Sequence, residues 1–246
     1  MAAKAKVRGG VAKPSTKLLR GNQFHACKHN WAAVETAASD LDAHLTAAGP
    51  GGYPEQPLLN WFGESTERIC LFAHALGVIN PTHVARELIL GDMRTDFALL
   101  TVPTRTEAKP RLLLVECQGA LDKSLFEAGN RKLNYWGLDF LDGFSQLVDW
   151  KTSDYHNIQS QEIANLIKGN LRPMETSYML VAGLNRFAQD NVSQRRIKWW
   201  ADHVNLGNNF AVKTFDDVAS EAGEWVSQTK RLQPALQAAQ TGSKKP

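Results

Sequence analysis

The sequence predicts an α/β protein: one mixed sheet covered by helices on both faces. Three observations predict it. Segments with a helical apolar period alternate along the chain with shorter apolar runs of strand length. Two of those runs, 94–102 and 111–118, flank a polar connection bounded by Pro103 and Pro110, which suits a hairpin. A third, 177–183, is almost wholly apolar, as a strand buried on both faces is.

The totals set limits. With 246 residues, 43% hydrophobic and 22% charged, the chain can bury an ample core as one large domain with small extensions. No apolar run approaches a membrane span, and the first residues lack the apolar core of a signal peptide. Cys27, Cys70 and Cys117 are odd in number and scattered, with no CxxC spacing, so free thiols in a reducing cytoplasm are expected and zinc is not. Residues 1–28 hold seven Lys or Arg and no acid; the remainder holds 21 basic and 25 acidic residues. The basic character therefore sits in a disordered N-terminal arm, and the body is mildly acidic. Such an arm is compatible with phosphate neutralisation, with a solubilising tail, or with a transit peptide.

The elements follow in order. From His29 to Thr46, Trp31, Val34, Ala38, Leu41 and Leu45 recur at helical spacing. The Gly- and Pro-rich stretch 47–57 reads as a linker, so 29–57 forms a helix-plus-linker unit. Leu58–Val78 reads as a second helix, closed by Gly77 and Pro81 and carrying Glu64 and Glu67. Thr82–Leu90 reads as the first strand, with a turn at Gly91–Asp92. Glu87 on that strand points either towards a site or to Arg86, Arg94 or Arg111. The hairpin follows, and then a polar loop, 121–135, with Lys123, Arg131 and Lys132. Leu138–Ile167 reads as a long helix, interrupted near Thr152–Ser153, that carries Gln146 and Trp150 on one face. After the strand at 177–183 come Arg186, a helix at 189–204 with Arg195, Arg196 and Trp199–Trp200, a strand at 209–214, a helix at 216–232, and a polar tail at 233–246.

The hairpin carries the chemistry. A turn centred near residue 106 pairs positions whose numbers sum to about 212, which sets Asp96 opposite Glu116. Side chains alternate, so Glu116 and Gln118 share a face and Cys117 points away. Two facing carboxylates repel unless a cation lies between them. Asp, a spacer, then Glu-x-Gln at the end of an apolar strand predicts an oxygen-ligand site for a hard divalent cation, most simply Mg²⁺.

Asp96…Glu116-x-Gln118 resembles the PD-(D/E)XK nuclease core, with Gln where most members carry Lys. Together with Arg94–Phe97, Leu114–Glu116, Phe144–Trp150 and Tyr178–Gly183 it resembles the nuclease domain of the Shedu anti-phage proteins over residues 58–220. The resemblance implies a restriction-endonuclease-like core over 58–232, an Mg²⁺- or Mn²⁺-dependent DNA endonuclease in bacterial defence, and self-assembly. It implies Asp96, Glu116 and Gln118 as the catalytic set, with metal held by Asp96, Glu116 and the Cys117 carbonyl, and with Glu67 as a further candidate. Gln146-x-x-x-Trp150 is similar to a Gln-x-x-x-Tyr motif that faces the site in some branches, though Trp lacks the phenol. Lys123, Arg131, Lys132, Arg186, Arg195 and Arg196 are the candidate phosphate contacts. Gln118 brings no charge to the transition state, so a catalytically inactive nucleic-acid- or protein-binding module stands as the alternative.

Overall fold

The computed structural model describes residues 23–27, 30–90, 93–104, 108–130, 132–152, 161–168, 173–204 and 209–242. The chain enters through a short edge strand, β1 (His25–Ala26). Helix α1 (Trp31–Thr46) starts where the Asn30 side chain accepts from the Ala33 N–H, and it buries Val34, Ala37, Ala38, Leu41 and Leu45. The stretch expected to be a linker contains β2 (Gly52–Tyr53) and the start of α2 (Glu55–Phe62).

The helix expected over 58–78 is two helices. α2 ends at Gly63, and Ser65 caps a new helix, α3 (Thr66–Ala75), by accepting from the Arg68 N–H at 3.2 Å. Gly63 is also where Arg86 lies: a Cβ there would fall 2.4 Å from Arg86 Nη1.

The strand expected over 82–90 is shorter. β3 (His83–Arg86) stops because Glu87 adopts φ 56°, a left-handed conformation that turns the chain out of the sheet. Ile89–Leu90 (β4) then pairs with Met93–Arg94 (β5) in a separate ribbon; the Gly91–Asp92 turn lies outside the described residues. The ribbon's neck is closed by Glu87 N–H to Asp96 O at 2.9 Å and Thr95 N–H to Leu88 O at 3.0 Å.

β6 (Phe97–Thr101) and β7 (Arg111–Cys117) form the hairpin, with Phe97 opposite Val115 and Ala98 opposite Leu114, the register read from the prolines. The polar stretch after it is not a plain loop. It holds β8 (Ala120–Leu121), paired with β2, and a ribbon of β9 (Phe126–Glu127) and β10 (Tyr135–Trp136). The long helix is two pieces, α4 (Leu138–Thr152) and α5 (Gln161–Leu166), with 153–160 outside the described residues.

The remaining elements are β11 (Glu175–Val181), a 3-10 turn at Asn185–Phe187, α6 (Asn191–His203), β12 (Phe210–Lys213) and α7 (Phe215–Gly242). α7 runs on through much of the stretch expected to be a polar tail.

The main sheet has the order β1-β3-β6-β7-β11-β12. Its first four strands are antiparallel, and β7, β11 and β12 are parallel neighbours. Alternation divides the core. Phe97, Leu99, Val115 and Cys117 pack against α1, α2, α3 and α7, whereas Ala98, Leu114 and Leu180 pack under α4 and α6. The architecture is therefore mixed α/β with a central mixed sheet between helical layers. Residues 23–27, expected as part of the arm, extend the sheet edge; the arm's seven basic residues lie outside the described residues. Cys27 and Cys70 form a disulfide between that edge and α3, where free thiols were expected. Cys117 is free and buried. Among the described residues no helix is long and apolar enough to cross a membrane.

Candidate functional site

The hairpin register, carried one step beyond Phe97–Val115, puts Asp96 beside Glu116. Asp96 Oδ2 accepts the Cys117 N–H at 2.8 Å, which ties the start of β6 to the end of β7. Glu116 is 6% exposed and Gln118 8%, on the sheet face beneath α4. Gln118 Nε2 donates to Glu116 Oε1 at 3.3 Å, so the two share a face as alternation requires. From α4, the Gln146 side chain also hydrogen-bonds the Glu116 carboxylate.

Gly143 makes that approach possible. A Cβ there would fall 2.6 Å from Leu180 Cδ1 and 2.8 Å from Gln118 Cγ. Only a glycine lets α4 sit this close to the sheet, and one turn later Gln146 reaches Glu116. Four residues beyond it, Trp150 is 1% exposed in the apolar cluster under the helix. It is core, not part of the polar site that Gln146 joins.

A third carboxylate was not anticipated. Glu55, the first residue of α2, acts electrostatically on both Asp96 and Glu116, and Asp139 on α4 acts on Glu55. Glu67, the residue expected in this role, instead receives a hydrogen bond from the Thr66 hydroxyl at 3.2 Å, and Glu64 pairs with Arg68. Asp139 is held by the Ser124 hydroxyl at 2.6 Å, and Ser124 Oγ accepts the Leu121 N–H, which fixes the start of α4 against β8.

Burial and mutual repulsion raise these acids. Asp96 is raised to about 7: burial and the Glu55 charge outweigh the Cys117 N–H bond and the positive charges of Arg86 and Arg94. Glu116 is raised to about 9 by burial, then by Asp96 and Glu55, against the Gln146 hydrogen bond and Arg94. Burial, with Asp139, also raises Glu55. The Cys117 thiol, on the opposite face, is pushed well up by burial and is not a thiolate ligand. Arg86 bonds Asn60 Oδ1 at 3.0 Å and lies 3.6 Å from Glu87, which also faces Arg94 at 3.8 Å. Glu87 therefore pairs with arginines, the plainer of its two expected roles.

The donor set is all oxygen. Among the described residues no three His, Cys, Asp or Glu side chains converge tightly enough to chelate an ion alone.

The candidate phosphate contacts separate. Lys123 and Lys132 are exposed, as is Arg195; Arg131 lies outside the described residues. Arg186 is structural: its guanidinium bonds Leu45 O and Gly49 O, at the end of α1, at 3.5 and 3.0 Å. Arg196 donates to Asn134 O at 2.7 Å, and its guanidinium carbon lies over the Phe126 and Trp136 rings at 4.7 and 4.8 Å. A cleft of about 350 Å³ at the other end of the sheet, edged by Arg111, Glu175 and Phe210, is lined by none of Asp96, Glu116, Glu55 and Asp139.

Against known proteins, the family model described as Shedu protein SduA, C-terminal, matches residues 59–219. No curated protein matches the chain.

Proposed function

The chain belongs to the Shedu SduA C-terminal family, and from this we propose that it is a metal-dependent DNA endonuclease of the PD-(D/E)XK type acting in anti-phage defence. One observation carries the proposal: Asp96, bonded to the Cys117 amide, stands beside a buried Glu116 that Gln118 and Gln146 hold, with Glu55 acting on both acids. Acids that raise one another's proton affinity destabilise a fold unless a cation relieves them.

Asp96 and Glu116 would hold Mg²⁺ or Mn²⁺, with the Cys117 carbonyl and waters as further oxygens, and Glu55 would act on the ion through its charge. Such an ion polarises a nonbridging phosphate oxygen and lowers the pKa of a bound water. Gln146 and Gln118 stabilise the ionised form of Glu116 and fix the direction of its oxygens. Gln118 can orient a water through its amide but supplies no positive charge, so charge developing on the phosphate would have to be met by a bound cation and by basic residues around the site. Lys123 and Lys132 are exposed on the segment that follows β7 and suit backbone phosphates.

The test is cleavage of supercoiled plasmid with Mg²⁺ or Mn²⁺. Wild type nicks or degrades it, and Glu116→Ala, checked for an unchanged circular-dichroism spectrum, loses about 10²-fold or more. Equal cleavage by that variant would overturn the proposal.

A second reading rests on Gln118 itself: a binding-only descendant of the nuclease. Calorimetry separates the two. Mg²⁺ or Mn²⁺ binding that is lost in Asp96→Asn supports the enzyme; DNA binding with no metal binding supports the module.

A further inference from the structure

The face of α6 is left unexplained by the acidic site. A groove of about 490 Å³ opens there, lined by Trp136, Val192, Arg195, Arg196, Trp199 and Trp200. Trp200 belongs to the core, with edge-on contacts to Phe140 and Phe144 of α4 at 5.0 and 4.9 Å. Its indole N–H is buried with no acceptor among the described residues. Trp199 is different: it is 57% exposed. Burying a Trp face is favourable, so a sequence needing only a solvated helix face gains nothing from placing one there.

Trp199 is also held. The His203 ring stacks on it at 5.1 Å with 8° between planes, and His203 Nδ1 lies 2.9 Å from the Trp199 carbonyl oxygen. A rigid, exposed indole loses little conformational freedom when a ligand stacks on it. Cations outnumber acids around it: Arg195 and Arg196 line the groove, with Arg196 over Trp136; Lys198 is exposed beside the groove on the same helix, and Asp202 is the exposed acid one turn on.

We infer that this groove binds an unpaired nucleotide, its base stacked on Trp199 and its phosphates on Arg195 and on Lys198 beside the groove. The inference rests on nucleic acid being the substrate and adds which kind: a strand with at least one base out of the duplex. A tryptophan face stacks only on a base whose own face is free, which paired internal bases do not offer. An apolar protein segment is the poorer occupant, because it would strip water from Arg195 and Lys198 without supplying a counter-charge.

α4 joins the groove to the acidic site. Its Phe140 and Phe144 pack on Trp200, while Asp139 and Gln146 on the same helix serve the carboxylates.

The experiment is fluorescence anisotropy in EDTA, where no cleavage occurs, with a labelled oligothymidine of about 20 nucleotides and a blunt duplex of equal length. Trp199→Ala should weaken oligothymidine binding about tenfold, leave duplex binding unchanged, and be rescued by Trp199→Phe. Arg195→Ala with Lys198→Ala should weaken both ligands and flatten the salt dependence by about two ions. Trp199 is exposed, so its truncation leaves the fold intact. The inference is overturned if wild type fails to bind oligothymidine, or if Trp199→Ala binds it as wild type does. It is overturned too if that variant dissolves an oligomer in sedimentation while oligothymidine binding is untouched. Absent plasmid cleavage with intact, Trp199-dependent oligothymidine binding would count against the hydrolase alone.

Discussion

Glu116 and Asp96 keep protons that exposed carboxyls would release, and a pH dependence follows. Carboxyls titrate near pH 4 in an unfolded chain. Burial and the neighbouring acids raise both in the fold, Asp96 to about 7 and Glu116 to about 9, so the folded state binds more protons over that interval. Stability must then fall as pH rises from about 4 through those values. Urea unfolding in EDTA should show lower stability at pH 8.5 than at pH 5.5, Mg²⁺ should restore it at the higher pH, and Asp96→Asn with Glu116→Gln should flatten the profile. A wild-type profile already flat in EDTA would show that the acids do not meet as described. Gln146→Ala removes a hydrogen bond that supports ionised Glu116, so it should weaken Mg²⁺ binding about 10–100-fold by calorimetry. At this scale the sequence was partly legible. Asp96, Glu116 and Gln118 could be brought together because alternation and a turn centre suffice to place them. Glu55 could not, because it lies in a Gly- and Pro-rich stretch that resembles a linker. Its available signal was local: an acid directly after Pro54, at the head of an apolar helical face. For Arg186 the hidden feature is its partner: its charge gives no hint that it bonds carbonyls at the end of α1.

At the scale of elements, the packing of α4 decides how well the acids are supported. Gly143→Ala puts a methyl against Leu180 and Gln118, and neither can withdraw freely from a buried strand. It should cost about 1–3 kcal/mol in urea unfolding and lower cleavage by more than its stability loss explains, because Gln118 and Gln146 shift together. Gly63→Ala displaces Arg86, whose charge acts on Asp96, and should lower the melting temperature. The element boundaries most open to error were those where backbone conformation overrode periodicity. One apolar face runs unbroken through Phe62 and Ile69, yet Gly63 and Ser65 divide the helix. The β propensity of 82–90 continues past Arg86, yet Glu87 takes a left-handed conformation. The hairpin was legible because Pro103 and Pro110 mark both limits of its loop.

For the molecule as a whole, charge is divided between an acidic body and a basic beginning. Residues 1–22 carry six Lys or Arg and no acid. If they neutralise phosphates, their deletion should weaken DNA binding at low salt and reduce the slope of log affinity against log salt by up to about five. An unchanged slope would assign the arm no part in binding. The arrangement of layers was foreseeable from alternating periods, whereas the disulfide between Cys27 and Cys70 was not, because residues 43 apart in sequence give no sign that a strand edge will lie on α3.

The excursion that leaves the sheet at Glu87 and returns at Asp96 is pinched shut by two backbone hydrogen bonds. Whatever happens beyond that clasp is mechanically insulated from the strands on either side. The ribbon of β4 and β5 is thus a natural place for the chain to grow or shrink, like a finger whose length changes while its knuckle stays fixed. Epitope tags or extra residues inserted there should be carried without loss of fold, while the acid at the knuckle keeps its station.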